Sequence, residues 1–127
     1  MPTITEDRDA IRDLAARYCH NFDHGNADGV ADLFTEDGVF DPGFPGFDAL
    51  ESREAIRAFV GSLTAGTVHH MVTDLAYDID GDRATGVASF LVTAGTAIVT
   101  VGRYQDELRR VDGTWRFVRR VAESDPA

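Results

Sequence analysis

The architecture turns on residues 97–123, AIVTVGRYQDELRRVDGTWRFVRRVAE. Val, Ile, Thr and aromatic side chains fill 97–109 and 114–123, and the VDGT between them is a turn signal. A connection that short makes the two strands antiparallel. The same texture extends backwards through 83–94 and 67–80, separated by AGT and DGDR. The second half of the chain therefore reads as a four-stranded antiparallel meander.

The first half has a different period. Ile11, Leu14, Ala15, Tyr18 and Phe22 recur at helical spacing, and Thr3 followed by Glu6 resembles a capping box, so a helix is expected over residues 5–22. Asn26 or Asp28 can cap a short second helix carrying Val30, Leu33 and Phe34. A short strand is expected near Val39 and Phe40. Ser52 can cap a third helix with Ile56, Phe59, Val60 and Leu63 on one face. Between them DPGFPGFDAL, residues 41–50, breaks regular structure with two prolines and two glycines, and its phenylalanines need an apolar surface to lie on. Helices first and a meander afterwards indicate an α+β fold. Strands of this length twist strongly enough to curve around the helices as an open cone.

At 127 residues and 43% hydrophobic content, the chain is expected to form a single domain over residues 1–127. Its one cysteine, Cys19, excludes an internal disulfide framework and a cysteine-based zinc site, and a reducing cytoplasm is the expected setting. The opening MPTITEDRDA has neither the basic nor the apolar region of a secretory signal. No apolar run approaches the ~20 residues of a membrane span. With 12 basic against 22 acidic residues and a net charge of −10, the surface lacks a nucleic-acid footprint. The only basic cluster, Arg109, Arg110, Arg116, Arg119 and Arg120, surrounds the VDGT turn.

Alternation sorts the strand residues into faces without saying which face is concave. In a regular strand His70, Val72 and Asp74 share one face, and His69, Met71, Thr73 and Leu75 the other. Ala84, Gly86, Ala88, Phe90 and Val92 form a mostly small face that leaves room beside it. Ile98, Thr100, Gly102, Tyr104 and Asp106 go together. Trp115, Phe117, Arg119 and Val121 oppose Arg116, Val118 and Arg120.

Four segments carry a resemblance: IRDLAARYCHNFDHGNADGVADLFTEDGVF, SREAIRAFV, VHHMVTD and GRYQDELRRVDGTWRFVRR. Together they span nearly the whole chain. The sequence resembles the SnoaL-like group of the nuclear transport factor 2-like (NTF2-like) superfamily. The resemblance implies a strongly curved, mainly antiparallel sheet with three helices enclosing a pocket, and homodimers through the sheet. Activity is not implied by fold, because relatives include dehydratases, isomerases, epoxide hydrolases, cyclases and non-catalytic subunits.

The site pattern is similar to that of the scytalone dehydratase and dehydrochlorinase branch. There an Asp at the end of the first helix pairs with a His on the first long strand. Carried over by local motif, these are Asp23 in NFDHGN and His70 in HHMVTD. The same alignment puts Tyr18, Tyr104 and Arg120 on the cavity wall. Val72, Asp74 and Phe90 join them as substrate-binding positions, with Phe44 and Phe47 as an aromatic flap. No histidine lies on the later strands, so two-histidine dehydration chemistry is not indicated. Asp74 stands where many relatives carry Asn, adding negative charge near the pocket.

The chemistry these residues suit is proton abstraction. An imidazole titrates near neutrality, and a carboxylate on its other nitrogen fixes its tautomer. Arg120 and a phenol from Tyr18 or Tyr104 would hold the charge that develops. Elimination, isomerisation or ring closure by this route needs no metal and no cofactor, so a cofactor-independent lyase, isomerase or cyclase acting on a hydrophobic small molecule is expected. Two other readings remain. One is a ligand-binding or accessory subunit without turnover. The other is an Asp-based isomerase or epoxide hydrolase, with Tyr18 as donor and Asp41, Asp74 or Asp106 as base. Trp115 belongs to the core or a dimer interface. His20, His24, His69 and His70 come with no third ligand and do not form a metal set.

Overall fold

The computed structural model describes residues 1–126. Helix α1 spans Ile4–Asp23, α2 Ala27–Ala31 and α3 Arg53–Gly61. Each starts where a polar side chain accepts a free backbone N–H: Thr3 from Glu6, Asn26 from Gly29 and Ser52 from Ala55. The strands are β1 Phe34–Asp41, β2 His69–Asp80, β3 Arg83–Ala94, β4 Ala97–Val111 and β5 Thr114–Ser124. Phe34, expected on the second helix, instead opens β1, because α2 ends after little more than one turn.

The sheet order is β1-β5-β4-β3-β2, antiparallel from β2 to β5 and parallel between β1 and β5. It is mixed and not closed. The expected meander is present, and the β1 pairing extends it beyond the last strand. At the VDGT turn Asp112 and Gly113 both take positive φ, 51° and 81°. That is the backbone a two-residue hairpin needs to match strand twist.

Helices α1 and α3 pack into the concave face. Phe34, Phe117, Ile11, Ile56 and Tyr18 are almost completely buried there. Asp7 on α1 ties the helix to the β4–β5 hairpin. Its carboxylate accepts from Arg110 at 2.6 Å and from the Trp115 indole N–H at 3.1 Å. Trp115 is thus a core residue. Among the described residues no helix is long and apolar enough to cross a membrane.

Three bulges within the meander reset which residues face inwards. The one between Val92 and Thr93 leaves Val99 as the extra residue on β4 and turns Ile98, expected to share a face with Thr100, to the outer side. The β2–β3 register shifts between Thr73 and Ala76, and Asp74 sits there at φ 53°. Before the bulge His70 and Val72 point to the core side; after it Leu75, Tyr77 and Ile79 do. The β4–β5 register shifts between Glu107 and Leu108, leaving Val118 as the extra residue on β5. Trp115 and Phe117 face inwards before it, and Arg120 and Ala122 after it.

Candidate active site

The open end of the cone holds a cavity of about 400 Å³. Rings dominate its wall: Tyr18 and Phe22 from α1, Phe40 from β1, Phe59 from α3, and Phe90 and Tyr104 from the sheet. Among the described residues no lysine or arginine lines it. The flap covers one side. Phe44 and Phe47 stand 6.4 Å apart between centroids, Phe47 lies 5.9 Å from Phe59, and both flap rings remain about half exposed. The flap root is pinned at Gly43, whose φ is 73° and where a Cβ would fall 2.1 Å from the Ala122 carbonyl oxygen. Only glycine fits there.

One polar pair breaks the apolar wall. Asp23, the last residue of α1, accepts from His70 twice: from the ring Nδ1 at 2.5 Å and from the backbone N–H at 2.9 Å. The Asp23 carbonyl accepts in turn from the Gly66 N–H at 3.0 Å. The helix end and the start of β2 are thereby clamped together. Side-chain exposures of 9% for His70 and 12% for Asp23 place the pair at the protein–cavity boundary. With the Nδ1 proton given to Asp23, the lone pair of Nε2 is available as a base. The imidazole is flanked by Phe22 at 4.7 Å and Tyr18 at 6.2 Å, centroid to centroid. His69, its neighbour in sequence, is exposed on the other face.

Tyr18, Tyr104, Phe90, Phe44 and Phe47 line this cavity with the Asp23–His70 pair. Val72 and Asp74 do not. Val72 faces inwards below the cavity, packed against the core. Asp74 is exposed at the bulge, correcting its expected place in the pocket, because the left-handed residue turns its side chain away.

Arg120 also departs from its expected place on the wall. It is completely buried beneath the cavity floor, with Nε and Nη2 donating to Asp106 at 2.9 and 3.0 Å. The bulge at Val118 turns it inwards, opposite Asp106 in the register. The Tyr77 hydroxyl donates to the same carboxylate at 2.6 Å. Burial opposes the charge on Arg120, but Asp106 outweighs it and holds the pKa above the ordinary arginine value. Burial also raises the phenol of Tyr18 well above its usual value and that of Tyr104 to about 12, with Arg120 pulling both back in part. Both phenols are therefore protonated donors at neutral pH.

None of Asp41, Asp74 and Asp106 lines the cavity. Asp106 is tied to Arg120 and Tyr77, Asp41 accepts from the Gly43 N–H, and Asp74 lies outside. Phe22 and Phe59, helix-stripe residues by their spacing, also line the cavity because its wall and the core are one continuous apolar surface. Among the described residues no three His, Cys, Asp or Glu side chains converge as a metal site.

An open cone of sheet over helices, with an aromatic cavity at its mouth, defines the NTF2-like class. Within it the chain belongs to the SnoaL-like family, whose domain model matches residues 3–121. A variant of Rv3472 from Mycobacterium tuberculosis, described as a protein of unknown function, is 36% identical. The match covers 95% of this chain and 73% of that one, with a TM-score of 0.85. An NTF2-like protein with a cystatin-like fold from Novosphingobium aromaticivorans is 31% identical over 95% of this chain and 83% of its own, with a TM-score of 0.84. A hexachlorocyclohexane dehydrochlorinase, LinA type 2, shares the fold at 18% identity, with 94% and 86% coverage and a TM-score of 0.81. No curated protein sequence matches the chain.

Proposed function

We propose that the protein is a cofactor-independent enzyme that removes a proton from a neutral, largely apolar small molecule, driving elimination, isomerisation or ring closure. The observation that carries this reading is the double hydrogen bond from His70 to Asp23 at the edge of an aromatic cavity. Asp23 orients the ring and stabilises the imidazolium formed when Nε2 takes the proton. Tyr18 and Tyr104 donate to the oxygen or leaving group on which charge collects. The flap excludes water and favours apolar ligands. An acidic protein whose cavity has no cationic side chain among the described residues discriminates against carboxylates and phosphates. A dehydrochlorinase with the same fold supports elimination as one form of the chemistry.

We further propose that two copies associate through the outer face of the sheet. The register sets Met71, Leu91 and Val101 side by side there, with Ile98 close by, and Met71, Val101 and Ile98 are exposed.

The test is exchange of acidic C–H for deuterium in D₂O, followed by NMR over a panel of neutral aromatic ketones. Exchange catalysed by the wild type and reduced roughly 10²–10⁴-fold in both Asp23→Asn and His70→Gln is expected. Catalysis that persists unchanged in both folded variants rules out the dyad as the base.

A further inference from the structure

Along the concave face of β4, Thr100, Gly102, Tyr104, Asp106 and Leu108 succeed one another. The cavity ends at Tyr104, and the Arg120–Asp106 ion pair lies one position deeper. The pair is oriented. Its cation lies against the cavity phenols, with Cζ 3.8 Å from the Tyr104 ring centroid and 4.4 Å from that of Tyr18. Its anion is held on the far side by the Tyr77 hydroxyl, and Tyr77 does not line the cavity. Phe117 completes the cage at 4.3 Å. Arg120 Nη1, fully buried, finds no hydrogen-bond partner among the described residues.

A buried ion pair is a poor way to gain stability, since desolvation cancels much of the attraction. A guanidinium fixed over a phenol ring has a definite chemical effect. It withdraws electron density through the π face and strengthens the O–H as a donor. The low polarity of the surroundings strengthens that field, which the Asp106 carboxylate on the far side offsets only in part.

We propose that Arg120 is a positioning residue. It is a cation fixed behind the cavity floor that makes Tyr18 and Tyr104 the donors to an anionic oxygen on the ligand, and Asp106 and Tyr77 hold it in place. The ligand class that follows is a neutral aromatic carrying a phenol, enol or ketone oxygen. That oxygen becomes anionic only once bound or reacting. Carrying no net charge, the ion pair supplies direction without attracting free anions from solution. The inference rests on the reading above only in placing the reacting molecule in this cavity.

The test uses a nitro-substituted 1-naphthol whose naphtholate absorbs in the visible, titrated against the intact protein. The groups facing the probe are His70 and Asp23 on one side and the two phenols on the other. The nearby Cys19 thiol, pushed up to about 11 by burial, stays neutral through the titration. In the wild type the bound pKa is expected to fall below that of the free probe by about one unit, a tenfold preference for the anion. Tyr18→Phe and Tyr104→Phe each reduce that shift, and Tyr77→Phe reduces it partly.

Arg120→Met alone strands the Asp106 charge and is expected to unfold. The charge-neutral pair Arg120→Met with Asp106→Leu removes both ions together, a replacement that buried ion pairs tolerate. In that variant the shift is expected to vanish or reverse. His70→Gln is expected to keep it, which separates the donor site from the base. A wild-type probe with unchanged or raised pKa, or no binding at all, overturns the proposal. So does a shift that survives loss of the ion pair, or of both phenols. A shift without catalysed exchange defeats the proton-abstraction reading alone; catalysed exchange without a shift defeats this inference alone.

Discussion

Asp23 and His70 are 47 positions apart in sequence, yet the carboxylate contacts both the ring and the backbone of the histidine. Removing the carboxylate charge therefore changes the tautomer balance without releasing the strand, since an Asn oxygen can still accept from the backbone N–H. The two residues were visible in the sequence only through their motifs; nothing in local periodicity connects a helix end to a strand start. Asp74 shows the opposite case. Its place on the His70 face followed from alternation, and alternation fails where the backbone turns left-handed. Because Asp74 is exposed and outside the cavity, Asp74→Asn is expected to leave kcat/KM within twofold of wild type, with stability changed by less than about 0.5 kcal/mol. Steady-state kinetics on a substrate identified by exchange would check this, and a tenfold loss would put Asp74 back in the site.

At the scale of elements, helices and strands were legible because their apolar periods are long and their caps and turns are conventional. The faces were legible only up to each bulge. One extra residue at Val118 exchanges Arg119 for Arg120 on the inner face, and no side-chain pattern in RFVRRV announces it. Asp7 is likewise set by tertiary contacts that its local sequence does not announce. An aspartate in a first helical turn reads as a surface residue, yet it is buried by partners more than 100 positions away. Burial raises its pKa, but the bonds from Arg110 and Trp115 outweigh that and hold it below the usual carboxylate range. A depressed folded-state pKa contributes stability that is complete above about pH 4 and is lost as pH falls through the folded value. Asp7→Asn is expected to lower Tm by about 5–10 °C at neutral pH. The gap from wild type should close in strong acid. Thermal melts across pH 2–7 measure both, and a gap that widens in acid would contradict the assignment.

For the whole molecule, the opened sheet separates two surfaces. The concave one is filled by helices and leaves an aromatic chamber at its mouth. The convex one carries an apolar rung, Met71–Leu91–Val101, beside charged rungs such as Arg103 with Glu123. The resemblance implied pairing through the sheet, but only the strand register gathers these three scattered residues into a patch. Sedimentation equilibrium of the wild type is expected to show a dimer, and the paired substitutions Met71→Glu and Val101→Glu a folded monomer. A monomeric wild type, or a dimer insensitive to both substitutions, would remove the convex face as the interface.

The proposed function depends on Asp23 fixing His70 with its Nδ1 protonated and Nε2 free. Nitrogen-15 NMR of histidine-labelled protein at neutral pH reads this without a substrate. The His70 ring is expected to show a protonated Nδ1 and an unprotonated Nε2, with the preference lost in Asp23→Asn. A His70 ring protonated on Nε2 in the wild type, or one unaffected by Asp23→Asn, would contradict it.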